Sequence, residues 1–398
     1  MILVLLSYKQ DIIVLEGFRP ERRRSHLRIR FIGHTISRCA GKGVIILVEI
    51  PNVVHSFPTW TMSRRPTHSK FGGKPTDSGI ASVATRLHTI NKECPGVGTS
   101  LHLLFELATD NPKYAKLNSP DAITMADLLA LLGKGECPQI MAVIAPAFGD
   151  IPGIEYGAIL SPDPEIRAMA KALHEEARDK TRQLRDAGFG KGLNIWWPAY
   201  DSWSERYRNM ATSDNGAWDM LVDFWSNHLS DHDGLVHLEW KPSVPGDRDY
   251  INSVRRAIEF CLDVNSAVGG EPVMVINHEW AHGLIGGTSV FDCTRLIIEA
   301  GLFTGFCHAN SAEKAVFIVD EETGQPLLGT PGDDKDWPVG VGGDDIWADQ
   351  QAAVGLMLRS GVPELIFEHD LDPAGTDPEE YFETSRINLD RMISAESK

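Results

Sequence analysis

A chain of 398 residues, 42% of them hydrophobic, has enough apolar material for one large barrel or two ordinary domains. Its formal net charge of -17 speaks against nucleic acid as a partner, since phosphate recognition calls for a basic face, and suits a carboxylate-rich cation site. Six scattered cysteines with no C-x-x-C pair point to reduced thiols, and no apolar run approaches the roughly 20 residues of a membrane span, so a soluble, cytoplasmic, non-membrane protein is expected.

Residues 1–50 differ from the remainder, with nine Lys or Arg against four Asp or Glu, where residues 51–398 carry 29 against 51. The shift marks an N-terminal extension of unassigned role ahead of one catalytic domain. From about residue 54, short apolar runs alternate with helical patterns, as in successive βαβ units around a parallel sheet. The expected strands are His55 to Trp60, Thr99 to Phe105, Ile140 to Ala145, Leu193 to Trp197, Val236 to Trp240, Val273 to Asn277, Thr304 to His308 and Glu364 to Glu368. Eight is the number that closes a (β/α)8 TIM barrel, an α/β fold.

The clearest helix spans Pro164 to Ala187, with Asp163 as N-cap, Pro164 at its first position, and Ile166, Met169, Ala170, Leu173 and Ala177 on one stripe. Gly188 ends it. The glycines at 188, 190 and 192 then lie between a helix and a strand, the reverse of a phosphate loop's order. Ser63 to Gly79 and Val319 to Gly343 have loop composition, rich in Gly, Pro and charge.

Pro272 to His282 supports two incompatible enzymes. As a motif, His278-Glu279-Trp280-Ala281-His282 spells the H-E-x-x-H of a zinc protease, whose two histidines need one continuous helix. Yet Pro272 to Ile276 is a β-branched run without helical period, and Gly283, Gly286 and Gly287 follow at once, so a strand end is expected.

In a parallel barrel, chemistry sits at the C-terminal ends of the strands. There the sequence places His102 and Glu106, then Glu239 and Lys241, then Glu279 and His282, then His308 followed by Asp334 and Asp336, then Glu368. Each has an ordinary explanation alone: a structural histidine, a solvated acidic turn, a strand terminator. Together they are hard to explain by packing, because converging acids repel unless a cation lies among them. Mixed carboxylate and imidazole donors suit Mn²⁺, Mg²⁺ or Co²⁺. Two divalent cations bridged by Glu279 would use the set, one with Glu239, Glu279, His308 and Glu368, the other with Glu279, His282, Asp334 and Asp336. Lys241 would hold a substrate oxygen, His102 would handle a hydroxyl proton, and Glu106 would orient it.

These residues resemble the xylose isomerase superfamily, including L-rhamnose isomerase. Glu239-Trp240-Lys241-Pro242 is similar to its E-P-K-P strand end, and Glu279-x-x-His282 before Gly-Leu-Ile-Gly-Gly to its E-x-N-H-A-x-L-A-G. His308-Ala309-Asn310 is similar to D-A-N, Asp334-Lys335-Asp336 to D-T-D, and Gly157 to Arg167 to G-A-x-x-x-P-D-P-x-V-R. The run from Phe367-Glu368 to Glu379 keeps register with F-D-A-K and S-T-D-x-E-D. The resemblance covers about residues 54 to 382 and implies a TIM barrel, a pair of divalent cations, and aldose to ketose isomerisation of an unphosphorylated sugar by 1,2-hydride shift. It further implies His102 in ring opening, Lys241 on a substrate oxygen, Trp60, Phe148 and Trp197 as pocket walls, and a homo-dimer or homo-tetramer as an open choice. His308 stands where xylose isomerases have Asp and L-rhamnose isomerases His, and Trp196-Trp197-Pro198-Ala199 replaces W-G-G-R, so xylose itself is not implied. The alternatives are a sugar epimerase or metal-dependent endonuclease of the same barrel type, a non-catalytic sugar-binding barrel, and the zinc protease with Glu299 as its further ligand.

Overall fold

The computed structural model describes residues 4–8, 11–15, 50–60, 82–145, 158–198, 215–230, 235–242, 250–319, 326–330, 332–372 and 378–397. Eight parallel strands form the central sheet: β1 (Asn52–Ser56), β2 (Thr99–His102), β3 (Ile140–Ile144), β4 (Gly190–Trp196), β5 (Val236–Glu239), β6 (Met274–Glu279), β7 (Phe306–His308) and β8 (Glu364–Glu368). Hydrogen bonding runs in the order β1, β8, β7, β6, β5, β4, β3, β2. A parallel bridge between Ser56 and Gly98 joins the two ends, with Phe57 N donating to Gly98 O and Gly98 N to His55 O, each at 2.8 Å. The result is the expected (β/α)8 TIM barrel.

Helices α1 (Val83–Glu93), α2 (Met125–Gly133), α3 (Pro164–Asp186), α4 (Asn215–Leu229), α5 (Val254–Val268), α6 (Trp280–Ile285), α7 (Val290–Glu299), α8 (Asp344–Leu358) and α9 (Pro378–Glu396) lie between and after the strands. Their starts follow from local chemistry. Ser82, Thr124, Asp163, Ser253 and Ser289 each accept a first-turn backbone N–H, a cap worth about 1 kcal/mol apiece. β3, β5 and β6 are buried at every position, as strands covered on both faces must be. One core packs α1 to α5 and α7 on the sheet, and a second, around Trp280, Leu365, Phe367, Leu389 and Met392, packs α6, α8 and α9. Gly305, at φ 96, precedes β7 where any Cβ would come within 2.1 Å of the Glu364 carbonyl, so close β7–β8 pairing requires glycine there.

All eight expected strands are present, with differences at their ends. The first begins and ends earlier, and Trp60 lies in a turn beyond it; the second stops at His102 because the chain turns through Leu104 at φ 74. The expected loop after β7 instead contains two antiparallel ribbons, Ser311–Glu313 with Asp333–Trp337 and Val316–Val319 with Pro326–Thr330. In the N-terminal extension, Val4–Tyr8 pairs antiparallel with Asp11–Leu15. None of the helices among the described residues is long and apolar enough to cross a membrane.

Register sets the site. Ser56 is level with Glu368, Glu368 with His308, and His308 with Glu279 across four adjacent strands. Glu239 is level with Asn277, two residues before Glu279.

Candidate active site

His308 lies at the centre of a ring of acids. Its Nδ1 is 2.6 Å from Glu279 Oε2 and 3.1 Å from Glu239 Oε2, and its Nε2 is 3.2 Å from Glu368 Oε1. All four side chains are buried. Their neighbours fix them further: Asn277 Nδ2 donates to Glu239 at 2.8 Å, Asn310 Nδ2 donates to Glu279 and, at 3.2 Å, to Asp336. Ser56 Oγ donates to Glu368 Oε2 at 2.7 Å, and Ser100 Oγ donates to the same oxygen.

Burial dominates the titration of this ring. It pushes the Glu279 carboxyl well above the usual range, with His308 opposing and the charge on Glu239 adding to it. Glu239 also resists burial, yet the charge and hydrogen bond of His308 bring it below its ordinary value. Burial alone would depress His308, but Glu239, Glu279 and Glu368 together hold it well above 6.5.

His282, on α6, is different. Burial and then the Lys241 charge push its pKa down to about 4, so it is neutral near pH 7. Its Nδ1 lies 2.6 Å from the Trp240 carbonyl, which assigns the proton to Nδ1 and the lone pair to Nε2. Lys241 Nζ reaches Asp334 Oδ2 at 2.5 Å and lies 5.3 Å from the centre of the Trp197 ring. Asp336 is buried at φ 43, a conformation that Asp tolerates better than most residues, and its carbonyl accepts Asp372 N at 3.0 Å.

At the end of β2, Glu106 Oε2 accepts both the His102 backbone N–H at 2.9 Å and, at 3.1 Å, the His102 ring through Nδ1. Arg86, buried on α1, stands 3.9 Å behind the same carboxylate. Burial raises the Glu106 pKa, but His102 and Arg86 together bring it below the ordinary carboxyl value. The Trp60 ring packs on His102 at 4.2 Å between centroids, and its Nε1 donates to Asp370 Oδ1 at 2.7 Å.

Two groups of side chains among the described residues could hold a metal ion: Glu239, Glu279 and His282, and Glu279, His308 and Asp370. In each, the potential ligand atoms lie within 4.8 Å of one another, and Glu279 belongs to both. Glu368, Asp334 and Asp336, expected as ligands, lie outside these two groups, Glu368 against His308 and the two serines, Asp334 against Lys241, Asp336 beside Asn310. Asp370 and Asn310, which share the strand-end runs of Glu368 and His308 but have no role assigned from the sequence, contribute here, as do Asn277, Ser56, Ser100 and Arg86, which the sequence does not mark. Phe148 lies outside the described residues.

The H-E-x-x-H spelling does not form a zinc-protease helix. His278 is in β6 and His282 in the short α6, and neither metal-capable group includes His278. The His278 ring instead lies with Nε2 3.4 Å from the Val290 carbonyl, and burial pushes its pKa down to about 4.

No family model and no curated protein matches the chain. Among solved structures, it is similar to a D-tagatose 3-epimerase-like protein at 12% identity, over 87% of this chain and 100% of that one, with a TM-score of 0.51. A mannonate dehydratase from Streptococcus suis serotype 2 aligns at 11% identity over 87% of this chain and 95% of its own, with a TM-score of 0.50. A candidate xylose isomerase from Rhodospirillum rubrum aligns at 12% identity over 86% and 99%, also at 0.50. At such identities the likeness is one of fold, the TIM barrel.

Proposed function

We propose, for a chain with the fold of xylose isomerase-like barrels, that it is a divalent-metal-dependent enzyme acting on an unphosphorylated sugar, an aldose–ketose isomerase working by 1,2-hydride shift. The observation that carries this reading is the sharing of Glu279 by two metal-capable groups at the C-terminal ends of β5 to β8. The donor set fits Mn²⁺, Mg²⁺ or Co²⁺: buried carboxylates with one neutral imidazole, His282, already oriented through its Nδ1. Glu239, Glu279 and His282 would hold one ion, with Asp334 and Asp336 supplied from the neighbouring ribbon, and Glu279 and His308 with an acid of the eighth strand would hold the other. When bound, such ions polarise neighbouring sugar oxygens and stabilise the charge that grows on them.

The remaining steps belong to the chain itself. With Nδ1 engaged by Glu106, His102 presents Nε2 to a sugar hydroxyl and takes its proton as the ring opens. Glu106, kept ionised, stabilises the imidazolium that results. The Lys241 ammonium, positioned between Asp334 and the Trp197 face, holds the sugar oxygen next to the reacting carbons. Trp60 closes the His102 side and keeps water from the open-chain sugar.

The test is to load the purified protein with Mn²⁺, Mg²⁺ or Co²⁺ and incubate it with a panel of aldoses in D₂O. Ketose should form with protium retained at the carbon that receives the hydride. Absence of ketose from every sugar refutes the isomerase; deuterium at that carbon refutes the hydride shift and favours the proton-exchanging chemistry of an epimerase.

A further inference from the structure

We infer that Asp370, and not Glu368, is the ligand supplied by the eighth strand, and that Glu368 acts one step removed, as the carboxylate that orients His308. The inference rests on the metal-dependent function proposed above.

β8 offers two acids to the barrel interior at different depths. Between them His369 faces the other way, buried, with Nε2 3.0 Å from His55 Nδ1 and Nδ1 2.8 Å from Ser385 Oγ on α9. This lock on the outer face fixes the strand so that its alternate residues Glu368 and Asp370 both turn inward. Just past the strand, Asp370 N donates to Glu368 O at 3.1 Å, a tight turn that brings the second acid back over the site.

The deeper acid is already committed. Oε2 of Glu368 accepts the hydroxyls of both Ser56 and Ser100, and Ser100 Oγ is itself anchored by Ala142 N at 3.2 Å. The other oxygen, Oε1, faces His308 Nε2 at 3.2 Å. An imidazole has one lone pair to give a metal, and it comes from the nitrogen nearest the other donors. For His308 that is Nδ1, beside Glu279 and Glu239, which leaves Nε2 as the nitrogen on the Glu368 side, 3.2 Å from Oε1. A carboxylate behind the far nitrogen of a ligating histidine is the usual arrangement for fixing its tautomer and ring plane. Glu368 stands there, held from below by two serines.

The shallower acid has the opposite character. Asp370 shares a group with Glu279 and His308 within 4.8 Å, and its charge reaches both Glu239 and Glu279. Trp60 Nε1 holds Oδ1, which sets the carboxylate plane.

The experiment measures bound Mn²⁺ by elemental analysis and calorimetry on the full chain, with circular dichroism to check folding. The parent should bind two ions. Asp370→Asn should bind one, while Glu368→Gln, which keeps one accepting oxygen for His308 as the serine hydroxyls turn to accept from its amide NH2, should bind two with one affinity lowered about 10- to 100-fold. Loss of an ion from Glu368→Gln with two retained by Asp370→Asn overturns the inference. A parent that binds none overturns the metal-dependent reading instead. Should Asp370→Asn fold poorly, Asp370→Cys loaded with Co²⁺ supplies a positive signal: a thiolate-to-cobalt absorption band is expected there and not in Glu368→Cys, and the reverse pattern refutes the assignment.

Discussion

Replacing Glu279 with Gln tests the shared ligand most directly, because the two metal-capable groups have that residue in common. The side chain is buried, and burial holds its carboxyl well above the usual range despite His308. Gln keeps the shape of the side chain and removes its charge. With an unfolding entropy of about 2.1 cal/mol/K per residue, the full chain melts with roughly 0.8 kcal/mol/K, so a change under about 1 kcal/mol moves the ion-free Tm by less than about 2 °C. Ions bound only to the folded state act differently. At a hundredfold excess over its Kd each contributes about 2.7 kcal/mol, and two raise the Tm by about 6 °C. Differential scanning calorimetry with and without Mn²⁺ should show that rise for the parent. For Glu279→Gln it should fall below about 1 °C. A variant that matches the parent's metal-induced shift would show that Glu279 bridges nothing.

Lys241→Met should leave metal content intact and lower kcat about 10²-fold, the scale of one lost donor to a developing oxyanion; unchanged kcat would remove Lys241 from the chemistry. Acid should destabilise the ion-free protein by a calculable route. Burial pushes His237, His278 and His282 to about 4, against about 6.5 for an unfolded imidazole. Between those values the unfolded chain binds more protons, so stability is full above about pH 6.5 and is lost as pH falls towards 4, by at most about 3 kcal/mol per imidazole. Because the raised Glu279 and His308 act with the opposite sign, the check is made ring by ring: an NMR titration in chelator in which any of the three imidazoles protonates near 6.5 would show that it is not held neutral.

The barrel was legible because its signal is repeated. Each strand carries its own short apolar run, and eight such runs separated by helical patterns leave few other topologies. Strand ends were less legible, since apolar Phe57 to Trp60 continues the pattern of β1 while its backbone turns away to put Trp60 on His102. The ribbons after β7 were hidden for a related reason: Asp333–Trp337 has an acidic loop composition and becomes a strand only by pairing with Ser311–Glu313. In the site, Glu239, Glu279, His282 and His308 announced themselves as ionisable residues at or just beyond the ends of apolar strands. Ser56, Ser100 and Asn277 carry no such mark. Their roles come from register, which aligns Ser56 with Glu368 and Glu239 with Asn277. Asp370 depends on the turn after β8, a feature of backbone shape that spacing from Glu368 alone does not reveal.

Register also explains why this site can be built at all. Two carboxylates about 4 Å apart repel by roughly 4 kcal/mol at an effective dielectric of 20, a cost that a single imidazolium shared among three acids offsets only in part. Glu239, Glu279 and Glu368 share His308, while Lys241 is turned to Asp334. The parallel hydrogen-bond ladder sets these acids level on neighbouring strands, and the two packed cores outside the barrel hold the ladder against the repulsion. Burial and neighbouring charge raise the Glu279 carboxyl, while His308 holds that of Glu239 below its ordinary value. A divalent cation at Glu279 would favour its ionised form. Packing thus supplies the energy to assemble a ring of acids that electrostatics alone would disperse, and the resulting excess of buried negative charge is what gives the proposed metal its affinity.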